Sequence, residues 1–193
     1  MIDYIKGEIT ELTPAAVSLE AYGIGYSLSI SLNTYSALTG SKEAKLYVHE
    51  SIREDAYQLY GFSDRYEREL FRLLISVSGV GPSTGRIILS SMTPAELANT
   101  IASEDVNILK MVKGIGAKTA QRLIIELKDK VNAESIGALP LADVPGPVSK
   151  EAVAALVMLG FVQKASEKAV SKIVKENPGI SVEQVIKQAL KML

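Results

Sequence analysis

The chain has 193 residues, 47% hydrophobic and 22% charged, enough for one large or two to three small globular domains with a proper core. It has no cysteine, which excludes disulfides, thiolate catalysis and zinc–thiolate sites and suits a reducing cytoplasm. A net charge of −1 excludes a uniformly basic nucleic-acid binder, yet residues 1–62 carry four Lys/Arg against eight Asp/Glu while residues 63–131 carry ten against eight and 132–193 seven against six. Any contact with DNA would therefore be local, with part of the surface repelling phosphate. No apolar run approaches the roughly 20 residues of a membrane helix. The N-terminal MIDYIKGEIT lacks the basic start and apolar core of an export signal.

Residues 1–62 read as β structure. Ile5–Ile9, Val17–Ala21, Tyr26–Leu32, Leu46–Ile52 and Ala56–Tyr60 are short runs with partial alternation, separated by turn signals at Tyr22, Gly23 and Gly25 and by a polar connection from Asn33 to Lys42. Five such strands predict a small closed barrel, with an OB-type barrel the leading candidate. Arg53-Glu54-Asp55 falls between the last two strands; an acidic hairpin tip is ordinarily just a solvated turn, but it can also repel phosphate.

From Asp64 the pattern turns helical. Asp64 is positioned to cap a helix over Arg65–Ser76, with Leu70, Leu73, Leu74 and Val77 on one face. Thr93-Pro94-Ala95-Glu96 reads as a capping box with proline at the first helical position. Ser103 is expected to cap a short helix over Glu104–Val112, and a helix after Gly116 runs to about Val131. Asn132–Val148 has no period, contains Pro140, Pro145, Gly146 and Pro147, and reads as a flexible linker. Beyond it, Lys150–Leu159, Gln163–Glu176 and Val182–Leu193 predict three short amphipathic helices, with Ser181 and Gln184 able to box the third. The expectation is an α+β chain: a barrel over 1–62, a helical domain over 63–131, a linker over 132–148 and a three-helix domain over 149–193.

The helical middle contains a repeat. Ile108–Ile125 slides back 35 residues onto Leu73–Leu89, placing Gly114 over Gly79, Gly116 over Gly81, Thr119 over Thr84 and Ile115 over Val80. Each copy reads as a helix, a tight Gly-x-Gly turn and a second helix starting at once. A packing device would look the same, but two copies in register favour a pair of nucleic-acid grips, because free amides and the dipole at a helix start attract phosphate. The copies are unequal: the second has Lys113, Lys118 and Arg122 where the first has Ser78, Ser83 and Ile87, with Arg86 expected to compensate in part. Grips built from amides and lysines hold phosphates without reading bases.

Enzymatic readings fare less well. Ala117 separates Gly116 from Lys118, so the phosphate-loop Gly-Lys-Ser/Thr is absent. His49 is the only histidine and lies on a predicted strand, which leaves no His/Cys metal cluster and no Ser–His or Cys–His pair. A base-excision glycosylase with Lys118 as its nucleophile would also need a buried aspartate in a continuing helical domain, and Asp129 instead sits between two lysines at a helix end. In the C-terminal domain Leu159-Gly160-Phe161 marks a turn that serves either core packing or protein docking.

Taken together, REDAYQLYGF at Arg53–Phe62, GVGP at Gly79–Pro82, GIGAKTAQRLI at Gly114–Ile124 and VAALVMLGF at Val153–Phe161 resemble the bacterial RuvA family of Holliday-junction branch-migration subunits, over essentially the whole chain. That resemblance implies a homotetramer, alone or as a face-to-face octamer, that holds a four-way junction open. It implies DNA contacts at Gly79, Gly81, Ser83, Thr84, Arg86, Lys113, Gly114, Gly116, Lys118, Thr119 and Arg122, and an acidic pin at Glu54 and Asp55. It also implies docking of the RuvB ATPase by the C-terminal domain, through residues such as Leu156, Leu159 and Phe161, with the RuvC resolvase as a further partner. No catalytic residue, metal or bound cofactor is implied, ATP being used by the partner motor, and the setting is the cytoplasm. Relatives often carry lysine where Ser83 stands, which lowers the charge expected of the first hairpin.

Overall fold

The computed structural model describes residues 1–131 and 147–193, which fall in two compact units. In the first unit five strands close a barrel in the order β1-β2-β3-β5-β4. They are β1 (Tyr4–Thr13), β2 (Ala16–Ala21), β3 (Ile24–Ile30), β4 (Glu43–Ile52) and β5 (Tyr57–Phe62). Alternate residues Val17 and Leu19, Leu28 and Ile30, and Leu46 and Val48 point inward and are buried, which is the period-2 signature of a half-buried strand. Strand β1 is longer than its apolar run suggests because it has two partners. Tyr4–Glu8 pairs with β4 and Glu8–Thr13 with β2, with an irregularity between Ile9 and Glu11 that bends the strand between them. Closure is completed by the parallel β3–β5 pair.

The connection expected from Asn33 to Lys42 contains a helix, α1 (Leu32–Leu38). Its middle residues Asn33, Thr34, Tyr35 and Ser36 are weak helix formers, and tertiary structure overrides that preference. Ser31 caps it by accepting from the Thr34 N–H, Leu38 is buried, and the polar side chains are used elsewhere.

Five further helices complete the first unit: α2 (Arg65–Ser76), α3 (Pro82–Ser91), α4 (Pro94–Ala102), α5 (Val106–Lys110) and α6 (Ala117–Leu127). Asp64 caps α2 by accepting from Glu67 N–H, and Thr93 and Glu96 form both halves of the capping box on α4. The expected Ser103 cap is corrected to Asp105, whose carboxylate accepts from the N–H groups of Asn107 and Ile108. Ser103 instead closes α4, and Glu104 turns the chain with φ +59°.

Barrel and helices share a core centred on Phe71 of α2. Its ring lies 5.1 Å from that of Tyr60, 4.9 Å from Phe62 and 5.3 Å, edge-on, from His49. Truncating such a side chain to alanine costs about 3–5 kcal/mol. The lone histidine is therefore a packing residue, and burial holds its pKa below the ordinary value. Above this core, the fully buried Glu67 of α2 accepts hydrogen bonds from the Ser31 and Thr34 hydroxyls, the latter at 2.7 Å. Thr34 Oγ1 in turn accepts from Ser63 N–H at 3.1 Å, so α1, β5 and α2 meet in one polar knot. Arg68, also buried, donates to Asp3 Oδ1 at 2.6 Å and to the Asp3 carbonyl at 2.9 Å.

The second unit packs α7 (Pro147–Met158), α8 (Gln163–Glu176) and α9 (Val182–Ala189) around Val153, Leu156, Val170, Ile173 and Val185. Helix α7 starts at Pro147, three residues earlier than the sequence suggested, with proline at its first position. The rest of the expected linker lies outside the described residues. Ser181 caps α9, accepting from the Gln184 N–H.

Burial pushes the Glu67 carboxyl above its ordinary pKa, outweighing the two hydroxyl donors that lower it. A carboxyl raised on folding contributes stability below its unfolded pKa and loses it as pH rises through the folded value. Glu67→Gln is thus expected to gain stability relative to wild type as pH rises over the range from about 4 upward. Thermal melts of the two proteins across that range measure it; a difference independent of pH would contradict an ionisable group buried here.

Candidate nucleic-acid interface

The two halves of the repeat fold into matching hairpins. Gly79 and Gly114 have φ of +94° and +93°, a conformation that side chains rarely adopt. Gly81 and Gly116 follow with φ/ψ of −86°/170° and −84°/168°, as the N-caps of α3 and α6. Hydrogen bonds repeat at the same offset. Val77 donates to Leu74 O and Val112 to Leu109 O, both at 3.2 Å; Gly85 donates to Gly81 O and Ala120 to Gly116 O, both at 2.9 Å. Val80 and Ile115 anchor each turn by burial in the shared core.

Two features of the turns have no explanation inside the chain. Gly81 and Gly116 adopt backbone angles open to any residue, and a Cβ at either would meet nothing within 4 Å. Helices α1, α2, α4 and α5 each have a side-chain cap, whereas α3 and α6 have none. A bare glycine at an uncapped helix start leaves amide donors open to solvent and lets a large ligand's backbone approach them closely.

The hairpins also lie side by side. Arg122 of α6 donates to the Ser78 carbonyl at 3.1 Å, and the Thr119 hydroxyl lies 3.7 Å from where a Gly79 Cβ would stand. Lys113 and Lys118 are exposed beside the second turn, and Ser83 is exposed beside the first, with Thr84 half-buried. Among the described residues neither Lys113, Lys118 nor Arg122 forms an ion pair, whereas Lys128 at the far end of α6 is paired with Glu104. Arg86 projects from the middle of α3 and donates to the Ala15 carbonyl in the β1–β2 turn at 2.8 Å.

Glu54 and Asp55 form the exposed two-residue tip between β4 and β5, closed by the Arg53 N–H donating to Ala56 O at 2.8 Å. At its base Ile52 and Tyr57 pair across the strands with both side chains largely exposed, and Tyr57 Oη donates to Glu50 at 2.7 Å. That hydrogen bond holds the Glu50 carboxyl below its ordinary pKa. This exposed apolar base was not singled out from the sequence; its signal is an isoleucine and a tyrosine flanking the acidic tip. Asp129, which the glycosylase alternative needs buried, is exposed.

In the second unit the three expected docking residues separate. Leu156 is fully buried, Phe161 is partly buried against the same core, and Leu159 is 61% exposed. It is joined on the surface by Met158 and Val162, 85% and 72% exposed, which sequence reasoning missed because apolar residues near a turn look alike whether they point in or out.

Comparison with known proteins places this geometry. A family model described as the RuvA N-terminal domain matches residues 1–61, a SAM-like tandem helix-hairpin-helix model residues 71–129, and a RuvA C-terminal domain model residues 147–193. A protein of Parabacteroides distasonis is 60% identical over 196 residues, one of Bacteroides fragilis 55% over 201, and one of Flavobacterium psychrophilum 44% over 194. Each match covers the whole of both chains, and each relative is named Holliday junction branch migration complex subunit RuvA.

The two kinds of glycine separate by substitution. Gly114→Ala is expected to cost about 1–2 kcal/mol of stability, because its φ is positive. Gly116→Ala should cost less in thermal melts yet weaken DNA binding, since its methyl would stand on the open face of the turn. Full binding by Gly116→Ala would contradict close approach there.

Proposed function

The chain belongs to the RuvA family of Holliday junction branch migration subunits, and on that premise we propose that it grips four-way junctions through paired phosphate cradles while its acidic tip excludes continuous duplex. The observation that carries this reading is the pair of bare glycines, Gly81 and Gly116, capping two adjacent helices whose first amides are free. Amides at Ser83 and Thr84 take one phosphate, and those around Lys118 and Thr119 take another. Lys113 and Lys118 add charge at the second cradle, and Arg122, held at the Ser78 carbonyl, adds charge between the two turns. None of these groups reads a base, so binding is insensitive to sequence.

Grip does not by itself choose between DNA shapes. Four copies assembled around a junction would engage all four arms at once, giving avidity that a single duplex cannot match. With the Glu54 and Asp55 tips gathered near the strand exchange point, a duplex laid straight across would meet uncompensated negative charge. The chain itself performs no chemistry in this account. The exposed Met158, Leu159 and Val162 surface is the part that docks the RuvB ATPase, which uses ATP to drive branch migration, and the RuvC resolvase acts on the same junction in the cytoplasm. Among the described residues no helix is long and apolar enough to cross a membrane.

Lys118→Ala is expected to weaken binding to junction and duplex alike and to lower the slope of log affinity against log salt by about one unit per engaged subunit. Lys128→Ala, whose ammonium is already paired, should change the slope less. Anisotropy titrations at several salt concentrations measure both, and an unchanged slope for Lys118→Ala would contradict the phosphate contact. Glu54→Gln with Asp55→Asn should keep junction affinity while raising duplex affinity in gel shifts. Sharper discrimination in that variant would refute repulsion by the tip.

A further inference from the structure

Arg86 and Asn33 together tie helix α3 to the barrel at two separate points. Asn33, on α1 of the barrel, uses both hydrogens of its side-chain amide. Nδ2 donates to the carbonyl of Leu89 and, at 3.0 Å, to that of Met92, the free acceptors at the C-terminal end of α3. Only the NH2 group can serve two carbonyls, so the amide orientation is determined. Beside it the Leu32 N–H donates to Ser90 Oγ at 3.1 Å. Further along, Arg86 reaches back to the Ala15 carbonyl in the β1–β2 turn, an oxygen that also accepts from the Ile30 N–H at 3.0 Å. That carbonyl is thus embedded in the barrel's own hydrogen-bonding.

We infer that Arg86 is a positioning residue rather than a phosphate ligand: with Asn33 it sets the angle between the first phosphate cradle and the acidic tip, and so contributes to the choice of junction over duplex. The inference rests on the function proposed above. Helix α3 carries the Gly79–Gly81 turn at its N-terminus and lies close on α2, where a Cβ at Gly85 would come within 3.2 Å of Ile75 and Phe71. Such apolar contact resists separation but does little to fix rotation, because it has no direction. Hydrogen bonds are directional, and two of them at different heights along a helix fix its orientation. The other end of the lever is the barrel, which carries Glu54 and Asp55 on its β4–β5 turn. A duplex needs only the cradle. A junction needs the cradle and the tip in register, so a loosened strut penalises the junction selectively.

The test uses the full chain with a four-way junction and a duplex of equal length, each titrated at several salt concentrations, for wild type, Arg86→Ala, Arg86→Gln and Asn33→Ala. Glutamine keeps an N–H donor for the Ala15 carbonyl but has no charge, which separates the two roles. The expected result is that Arg86→Ala lowers the junction-to-duplex affinity ratio by about tenfold, the low end of the worth of one hydrogen bond from a charged donor, with the duplex salt slope unchanged. Arg86→Gln recovers most of the ratio, and Asn33→Ala resembles Arg86→Ala. A salt slope lowered by about one unit in both Arg86 variants, with glutamine no better than alanine, would make Arg86 a phosphate ligand and overturn the inference. An unchanged ratio in Arg86→Ala would also overturn it. If wild type itself binds junction and duplex alike, the proposed function fails and the strut falls with it; if wild type discriminates and Arg86→Ala does so equally, the strut alone fails. Arg86 lies at the surface end of its contact, so its variants report even if Asn33→Ala does not fold.

Discussion

A backbone amide at the start of a helix has no partner within that helix and must find one outside it. Four helices of the first unit meet that need with a serine, threonine or aspartate side chain. Helices α3 and α6 do not, and the turns leading into them end in N-cap glycines that have no internal reason to be glycine. The surrounding structure serves these two open ends. Val80 and Ile115 anchor the turns, Gly85 and Ala120 allow close packing behind them, and the contact of Arg122 with Ser78 sets one turn beside the other. A ligand that fits must offer anionic oxygens at a spacing and be thin enough to reach the bare backbone, and a nucleic-acid strand does both.

The same economy appears in the charges. A strongly basic protein would hold any DNA tightly, and this chain has a net charge of −1. Its first 62 residues carry four Lys/Arg against eight Asp/Glu, and Lys113 and Lys118, exposed beside the second hairpin, form no ion pair among the described residues. Under the proposed function, attraction would be local to the cradles and the acidic barrel would oppose DNA elsewhere. The buried knot of Glu67, Ser31 and Thr34, together with Phe71, ties the barrel to the hairpin helices.

What the sequence makes legible follows the range of the interactions. The Asp64 cap, the Thr93–Glu96 box and the repeated glycine turns are local, since the residues that make each feature lie within a few positions of one another. Helix α1 was hidden because Asn33 and Thr34 are polar for the sake of partners on α2 and α3, not for solvent. The choice of Asp105 over Ser103 as a cap depends on which residue leaves the helical conformation, and two neighbouring candidates look equal in a string. Leu156 near the end of α7 and Leu159 in the turn just after it are both leucines three residues apart, yet one is core and one is surface, a difference only the packing of α8 and α9 decides. The partner of Arg86 lies 71 residues away in a turn with no motif, so its charge alone suggested a phosphate contact.

Under the proposed function, grip and choice reside in different parts of the same unit. Competition measures it most directly: a labelled four-way junction bound to the intact chain is challenged with unlabelled duplex of equal length, at low and at high salt. The account predicts that the junction stays bound against excess duplex, and that it persists at a salt concentration that releases duplex alone. Displacement of the junction by an equal amount of duplex at both salt concentrations would contradict it.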